Sequence, residues 1–186
     1  MTVQINYLKS TPKKKLSNLI IFVDEKFNIG GLKKHISSNE FLYISDLLKS
    51  NDLKKNILTF EINSKKTIFL ISIKKDIKTS EIENLGAKFH GYINYDKTND
   101  YFVNSDIVNC KIKDFVNYFL HGIKLKSYDF NIYKSKKDRK KIIVNVFGGK
   151  DKIFNQNQLR FKALEEGTFF ARDLVSEPGN VLHPDE

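Results

Sequence analysis

At 186 residues and 40% apolar, with 15 Phe and 8 Tyr, the chain suits one ordinary domain and can bury a core, which excludes global disorder. Nine Gly, three Pro and a single cysteine, Cys110, exclude collagen-like repeats, a disulfide framework and a cysteine zinc cluster, and fit a reducing compartment. The net charge of +10 is uneven: residues 111–150 hold 11 Lys/Arg against 3 Asp/Glu, residues 1–110 hold 17 against 12, and residues 151–186 hold 4 against 7. Only three of the 32 basic residues are Arg (Arg139, Arg160 and Arg172), whereas phosphate and base recognition leans on forked Arg contacts. Most of the excess therefore reads as solvated surface. A polyanion patch over Lys134, Lys136, Lys137, Arg139, Lys140 and Lys141 is the alternative, and salt-sensitive binding would be its signature. The apolar runs "LIIFV" and "TIFLISI" fall far short of the roughly 20 residues of a membrane span. The N-terminus has no hydrophobic signal core, so a cytoplasmic location and no membrane partner are expected.

In chain order, residues 3–8 alternate as a strand, and residues 19–24 form a continuous, β-branched apolar run, the pattern of a buried strand. Gly30-Gly31 marks a turn. From a Ser/Asn cap near residue 37, Phe41, Ile44, Leu47 and Leu48 share one helical face. "NILTFEI" and "KTIFLISI" flank "NSKK" as a hairpin. A helix then starts at Thr79 or Ser80, with Glu83 placed to complete a capping box and Ile82, Leu85, Phe89 and Ile93 on the helical period. Residues 100–107 read as a strand and 111–130 as a long amphipathic helix with Phe115, Phe119, Gly122, Ile123 and Tyr128 on one side. Residues 140–149 are the last strand. Residues 155–177 form a helix with Leu159, Ala163, Gly167, Phe170 and Leu174 on a stripe. Alternating strands and helices plus a hairpin predict an α/β layered domain with a mixed sheet over 1–150, and a helical arm over 151–186.

Catalytic chemistry is harder to find. His35, His90, His121 and His183 have no His or Cys at metal-ligand spacing, and ordinary surface or boundary roles are expected. Cys110, beside Lys111 and Lys113, reads as an inert lone thiol. The acidic pairs Asp24-Glu25, Glu81/Glu83 and Glu165-Glu166 read as solvated or capping charges. "FGGK" at 147–150 lacks the spacing and the Ser/Thr of a phosphate loop. The last residues, His183-Pro184-Asp185-Glu186, resemble the opening of a helix: Pro at the first position, then two acids facing its positive end.

That ending carries a resemblance. "FFARDLVSEPGNVLHPDE" resembles the interdomain signature of the leucyl aminopeptidase family of two-metal peptidases, through Ala171, Arg172, Asp173, Leu174, Pro178, Asn180 and Pro184. Ser176-Glu177 depart from it, standing where many members have Asn. Upstream, "FLHGIKLKSYDFNIYKSKK" is similar to a second family stretch through Gly122, Leu125, Tyr128, Phe130, Tyr133 and Lys134. The resemblance implies a three-layer, macrodomain-like α/β sandwich followed by a linker helix. It implies a parent in which two divalent metals (Zn or Mn) lie in a separate catalytic domain and a metal-bound water removes N-terminal residues, often Leu. It also implies assembly as a homohexamer. The family's metal-binding segment is absent from these 186 residues. The expectation is therefore a fragment with no cofactor and no enzymatic activity of its own, serving as scaffold, assembly element and control of substrate access. Its partners would be the catalytic domain of the same parent chain and further copies.

Arg172, Asp173, Pro178, Asn180 and Pro184 are the expected interdomain linker residues. Arg172 has two readings, a cap on carbonyls at a helix end or a tie to the catalytic domain. A DNA-binding or nucleotide-binding module using the basic 111–150 region is the alternative function. Weak DNA binding is the partner that it would bring.

Overall fold

The computed structural model describes residues 2–12, 16–50, 52–53, 55–93, 99–106, 110–135, 141–148, 155–179 and 181. Six strands and four α-helices follow one another: β1 (Thr2–Tyr7), β2 (Asn18–Asp24), α1 (Ser38–Ser50), β3 (Ile57–Asn63), β4 (Lys66–Ile73), α2 (Thr79–His90), β5 (Asp100–Asn104), α3 (Phe115–Lys126), β6 (Lys141–Phe147) and α4 (Asn155–Ser176). The strands form one sheet in the order β1-β6-β5-β2-β4-β3. All neighbours are parallel except β3 and β4, which close the expected hairpin. Asn63 holds the hairpin turn by accepting the Lys65 N–H at 2.9 Å.

β2 lies inside the sheet between β5 and β4, and both of its faces are covered. This explains why its apolar run does not alternate. Ile20 and Phe22 enter one core with Phe69, Ile82, Leu85, Phe89, Phe115, Phe119 and Ile123, beneath α2 and α3. Leu19, Ile21 and Val23 enter the other with Leu32, Ile44, Leu58, Phe60 and Leu70, beneath α1. The result is a three-layer α/β sandwich. Phe22 fixes one side of it, with edge-on rings to Phe115 at 4.9 Å and Phe119 at 5.1 Å.

Helix starts follow local chemistry. Ser37 and Glu40 form a reciprocal box at α1, the Ser37 N–H donating to Glu40 Oε2 at 2.8 Å and the Glu40 N–H to Ser37 Oγ at 3.3 Å. At α2 the acid that reaches back is Glu81, accepting the Lys78 N–H at 2.8 Å, not Glu83. The helix begins at Thr79, two residues earlier than a Ser80 cap requires and one earlier than a Thr79 cap, which leaves Glu83 on a face turned toward α3. Gly30-Gly31 opens a short 3-10 helix, Gly30–Lys34, rather than a bare turn, and its Leu32 is buried. α3 is shorter than the apolar period suggests. Asp114, with φ 62°, sets its start, and Ser127 closes it, so Tyr128 lies just beyond its end.

α2 and α3 pack backbone against backbone. A Cβ at Gly86 would overlap the Phe119 carbonyl, and one at Gly122 would overlap the Glu83 carbonyl. Only glycine permits this approach.

Candidate functional site: the seat of the last helix

α4 lies against α3 along a row spaced by four residues, and each member meets a partner from α3 or its flanks. Asn157 donates to both carboxylate oxygens of Asp114, at 2.9 and 3.0 Å. Phe161 stands edge-on to Tyr118, ring centroids 5.0 Å apart, and faces His121 at 5.4 Å. Glu165 accepts from Lys124 Nζ at 2.9 Å. Phe169 leans on the Tyr128 ring at 5.3 Å. Asp173 accepts from the Tyr128 hydroxyl at 2.8 Å, and Glu177 accepts from the Tyr133 hydroxyl.

Arg172 completes the seat. Its guanidinium donates to the Leu125 carbonyl at 2.6 Å and lies 5.4 Å from the centre of the Tyr128 ring. Leu125 is in the last turn of α3, where carbonyls lack helical partners. Arg172 thus does cap a helix end, but that of α3 rather than its own. Burial and the Asp173 carboxylate hold the Tyr128 phenol above its ordinary range. The Glu177 hydrogen bond and partial burial do the same for Tyr133. Both phenols remain donors at neutral pH.

The two stretches that carry the resemblance, some 40 residues apart in sequence, therefore touch. Leu125, Tyr128 and Tyr133 receive Arg172, Asp173 and Glu177. Gly122 gives α3 its contact with α2. Phe130 and Tyr133 pair their rings at 5.9 Å, and Lys134 holds Asp129 at 2.8 Å.

The apolar stripe read on α4 faces the other way. Leu159 is 66% exposed, Phe170 65% and Leu174 39%. Ala163 is exposed as well, and a Cβ at Gly167 would meet nothing. The docked row mixes Asn, Phe, Glu and Asp, so hydrophobic periodicity alone misses it.

Of the other sequence candidates, Pro178 is exposed past α4, its carbonyl accepting the Val181 N–H at 2.9 Å. Asn180, Pro184 and His183 lie outside the described residues, as do Lys136, Lys137, Arg139 and Lys140. Lys141 opens β6 on the surface. His35 and Asn104 meet at 2.7 Å, and burial holds His35 and His90 below the ordinary histidine range. His121 is not a surface residue: it is buried, with Nδ1 2.7 Å from Glu83 Oε1. Cys110 is half-buried, its sulfur 3.4 Å from the Ile112 backbone nitrogen. Among the described residues no three His, Cys, Asp or Glu side chains converge as metal ligands, and no helix is long and apolar enough to cross a membrane.

No protein-family model matches the chain. Curated relatives do. A probable cytosol aminopeptidase of Prochlorococcus marinus is 27% identical over 139 residues, spanning 72% of this chain and 28% of the relative. One of Clostridium perfringens is 30% identical over 128 residues, spanning 63% of this chain and 26% of the relative. The chain thus spans about a quarter of the length of these relatives. Among solved structures, a tomato leucine aminopeptidase mutant superposes with a TM-score of 0.73 at 15% identity, over 99% of this chain and 40% of that one. In sequence and in fold the chain is similar to the cytosol, or leucine, aminopeptidases over part of their length, as expected of an N-terminal domain of such an enzyme.

Proposed function

We propose that this chain is the N-terminal domain and linker helix of a leucyl aminopeptidase, and that its own role is non-catalytic. It provides the scaffold from which α4 leads to the catalytic domain, and it contributes to assembly and to substrate access. The observation that carries this reading is the mismatch of spans: nearly all of this chain corresponds to 40% of the tomato enzyme. In the parent, the remaining length would hold two divalent metals and release N-terminal residues, often Leu, with a metal-bound water. The residues described here do not fit that metal centre, so no step of the reaction is derived through them. On this reading residues 1–150 form the macrodomain-like unit, 151–186 the link, and the catalytic domain covers the outward stripe of Leu159, Phe170 and Leu174. Arg172 and Asp173 then serve the link by fixing α4 to the first domain, with Pro178, Asn180 and Pro184 as the further linker residues. A cytoplasmic homohexamer is the expected state of the parent.

The test is the size of the native product in its source cell. An antibody to this chain should detect a band well over twice 21.6 kDa, and mass mapping should recover peptides beyond Glu186. A band near 21.6 kDa with no such peptides would overturn the proposal.

A further inference from the structure

We infer that the cleft between β1, α3 and α4 binds a small zwitterion with an aliphatic side chain, an apolar α-amino acid, and that the ligand clamps α4 in its seat. The cleft has a volume of about 390 Å³. That lies in the range of small-molecule sites, roughly 300–1,000 Å³, which favour junctions between structural units. This one lies where the last helix meets the sandwich, beside the edge strand β1.

Its walls set the class of ligand. Val3 and Ile5 of β1, Leu120 of α3 and Phe161 of α4 line it and suit an aliphatic chain. The charged groups come from both helices: Lys124 from α3, Lys162 and Glu165 from α4. Lys124 Nζ donates to Glu165 Oε1 at 2.9 Å, and an ammonium has three N–H groups to give. The second oxygen of Glu165 has no partner among the described residues. Lys162 meets Glu166 at 3.6 Å with both side chains largely exposed, a pair that contributes little. Lys124 and Lys162 therefore receive a carboxylate, and Glu165 receives an ammonium, with the contact between Lys124 and Glu165 intact.

His121 points independently to a ligand that donates. It lines the same cleft, and its side chain is 7% exposed. Nδ1 lies 2.7 Å from Glu83 Oε1, and Nε2 is buried without a hydrogen-bond partner among the described residues. With Nδ1–H donating to Glu83, Nε2 keeps a lone pair. Buried polar atoms are nearly always paired, and a donor held in the cleft supplies the missing partner. A fatty acid brings no such donor, and an alkylamine leaves the lysines unanswered. An amino acid answers both, and its side chain covers the apolar walls.

Phe161, Lys162 and Glu165 belong to α4, so the site is complete only while that helix is seated. A ligand that binds this arrangement and no other stabilises it by mass action.

L-isoleucine is the probe, followed by NMR on the full chain. It should shift the signals of Val3, Ile5 and Leu120 saturably, with a Kd of about 1 mM or tighter, as a ligand of its size allows. At about ten times Kd, amide-exchange protection of α4 should rise on the order of tenfold. Two analogues separate the charges: 2-methylbutylamine lacks the carboxylate and 3-methylpentanoate lacks the ammonium. Each should bind at least about tenfold more weakly. Lys162→Gln, an exposed change that the fold tolerates, should weaken L-isoleucine several-fold and leave 2-methylbutylamine unaffected. Absence of a saturable shift up to about 10 mM would overturn the inference. So would equal affinity for all three compounds, which marks an apolar cleft that does not use its charges, or unchanged protection of α4 at saturation.

Discussion

Arg172 shows how one side chain can join two elements. It reaches the Leu125 carbonyl and covers the Tyr128 ring, whose hydroxyl donates to the neighbouring Asp173. A charge-assisted hydrogen bond in a half-buried site contributes about 2 kcal/mol, and removing the donor leaves the carbonyl unsatisfied. Arg172→Ala should destabilise the chain by about that amount in urea unfolding. In a double-mutant cycle with Tyr128→Phe the two losses should be non-additive, because the residues share contacts. A change within about 0.5 kcal/mol, the range of ordinary surface substitutions, would show that the contact does not hold α4. Arg172-Asp173 was visible in the sequence as part of a signature. Its partner was not, because a carbonyl on α3 carries no side-chain identity.

Among the elements, the pairing of α2 with α3 is the tightest. Gly86 and Gly122 lie where each helix meets the other's backbone, and no side chain, however small, fits. Gly122→Ala should therefore cost about 3 kcal/mol or more, measured as a lowered urea midpoint, since neither backbone can retreat without opening the aromatic core of Phe22, Phe89 and Phe119. An unchanged midpoint would mean that the helices separate freely. The sequence placed Gly122 on the correct stripe. It could not distinguish a glycine that spares space from one that merely costs helix propensity. Gly167 is of the second kind within this chain, with open space around it.

For the whole molecule, both cores are complete before α4 begins. Among the described residues, neither cluster of buried apolar side chains contains anything beyond Phe147. α4 is attached through polar contacts and rings on the outside of α3, so its loss should leave the sandwich intact. A chain ended at residue 154 should keep a cooperative thermal transition by circular dichroism. Loss of that transition would show that α4 is integral to the fold rather than seated upon it.

Strand and helix order, the hairpin, the buried character of β2 and the basic balance were all legible in the residues. Each depends on local period, turn chemistry or composition, which a chain carries in its own order. The family resemblance was legible for a related reason, since its two motifs are contiguous in sequence. The direction of α4 was not. Apolar periodicity pointed to the stripe of Leu159, Phe170 and Leu174, whereas the helix docks through Asn157, Phe161, Glu165, Phe169 and Asp173. A mixed polar and aromatic row is attractive only to the particular carboxylate, ammonium, phenol and carbonyl groups that α3 and its flanks present. Those groups come together only when β5, α3 and β6 are folded. The burial of His121 beneath Phe161 has the same origin: it depends on contact between segments 40 residues apart, a matter for tertiary structure alone.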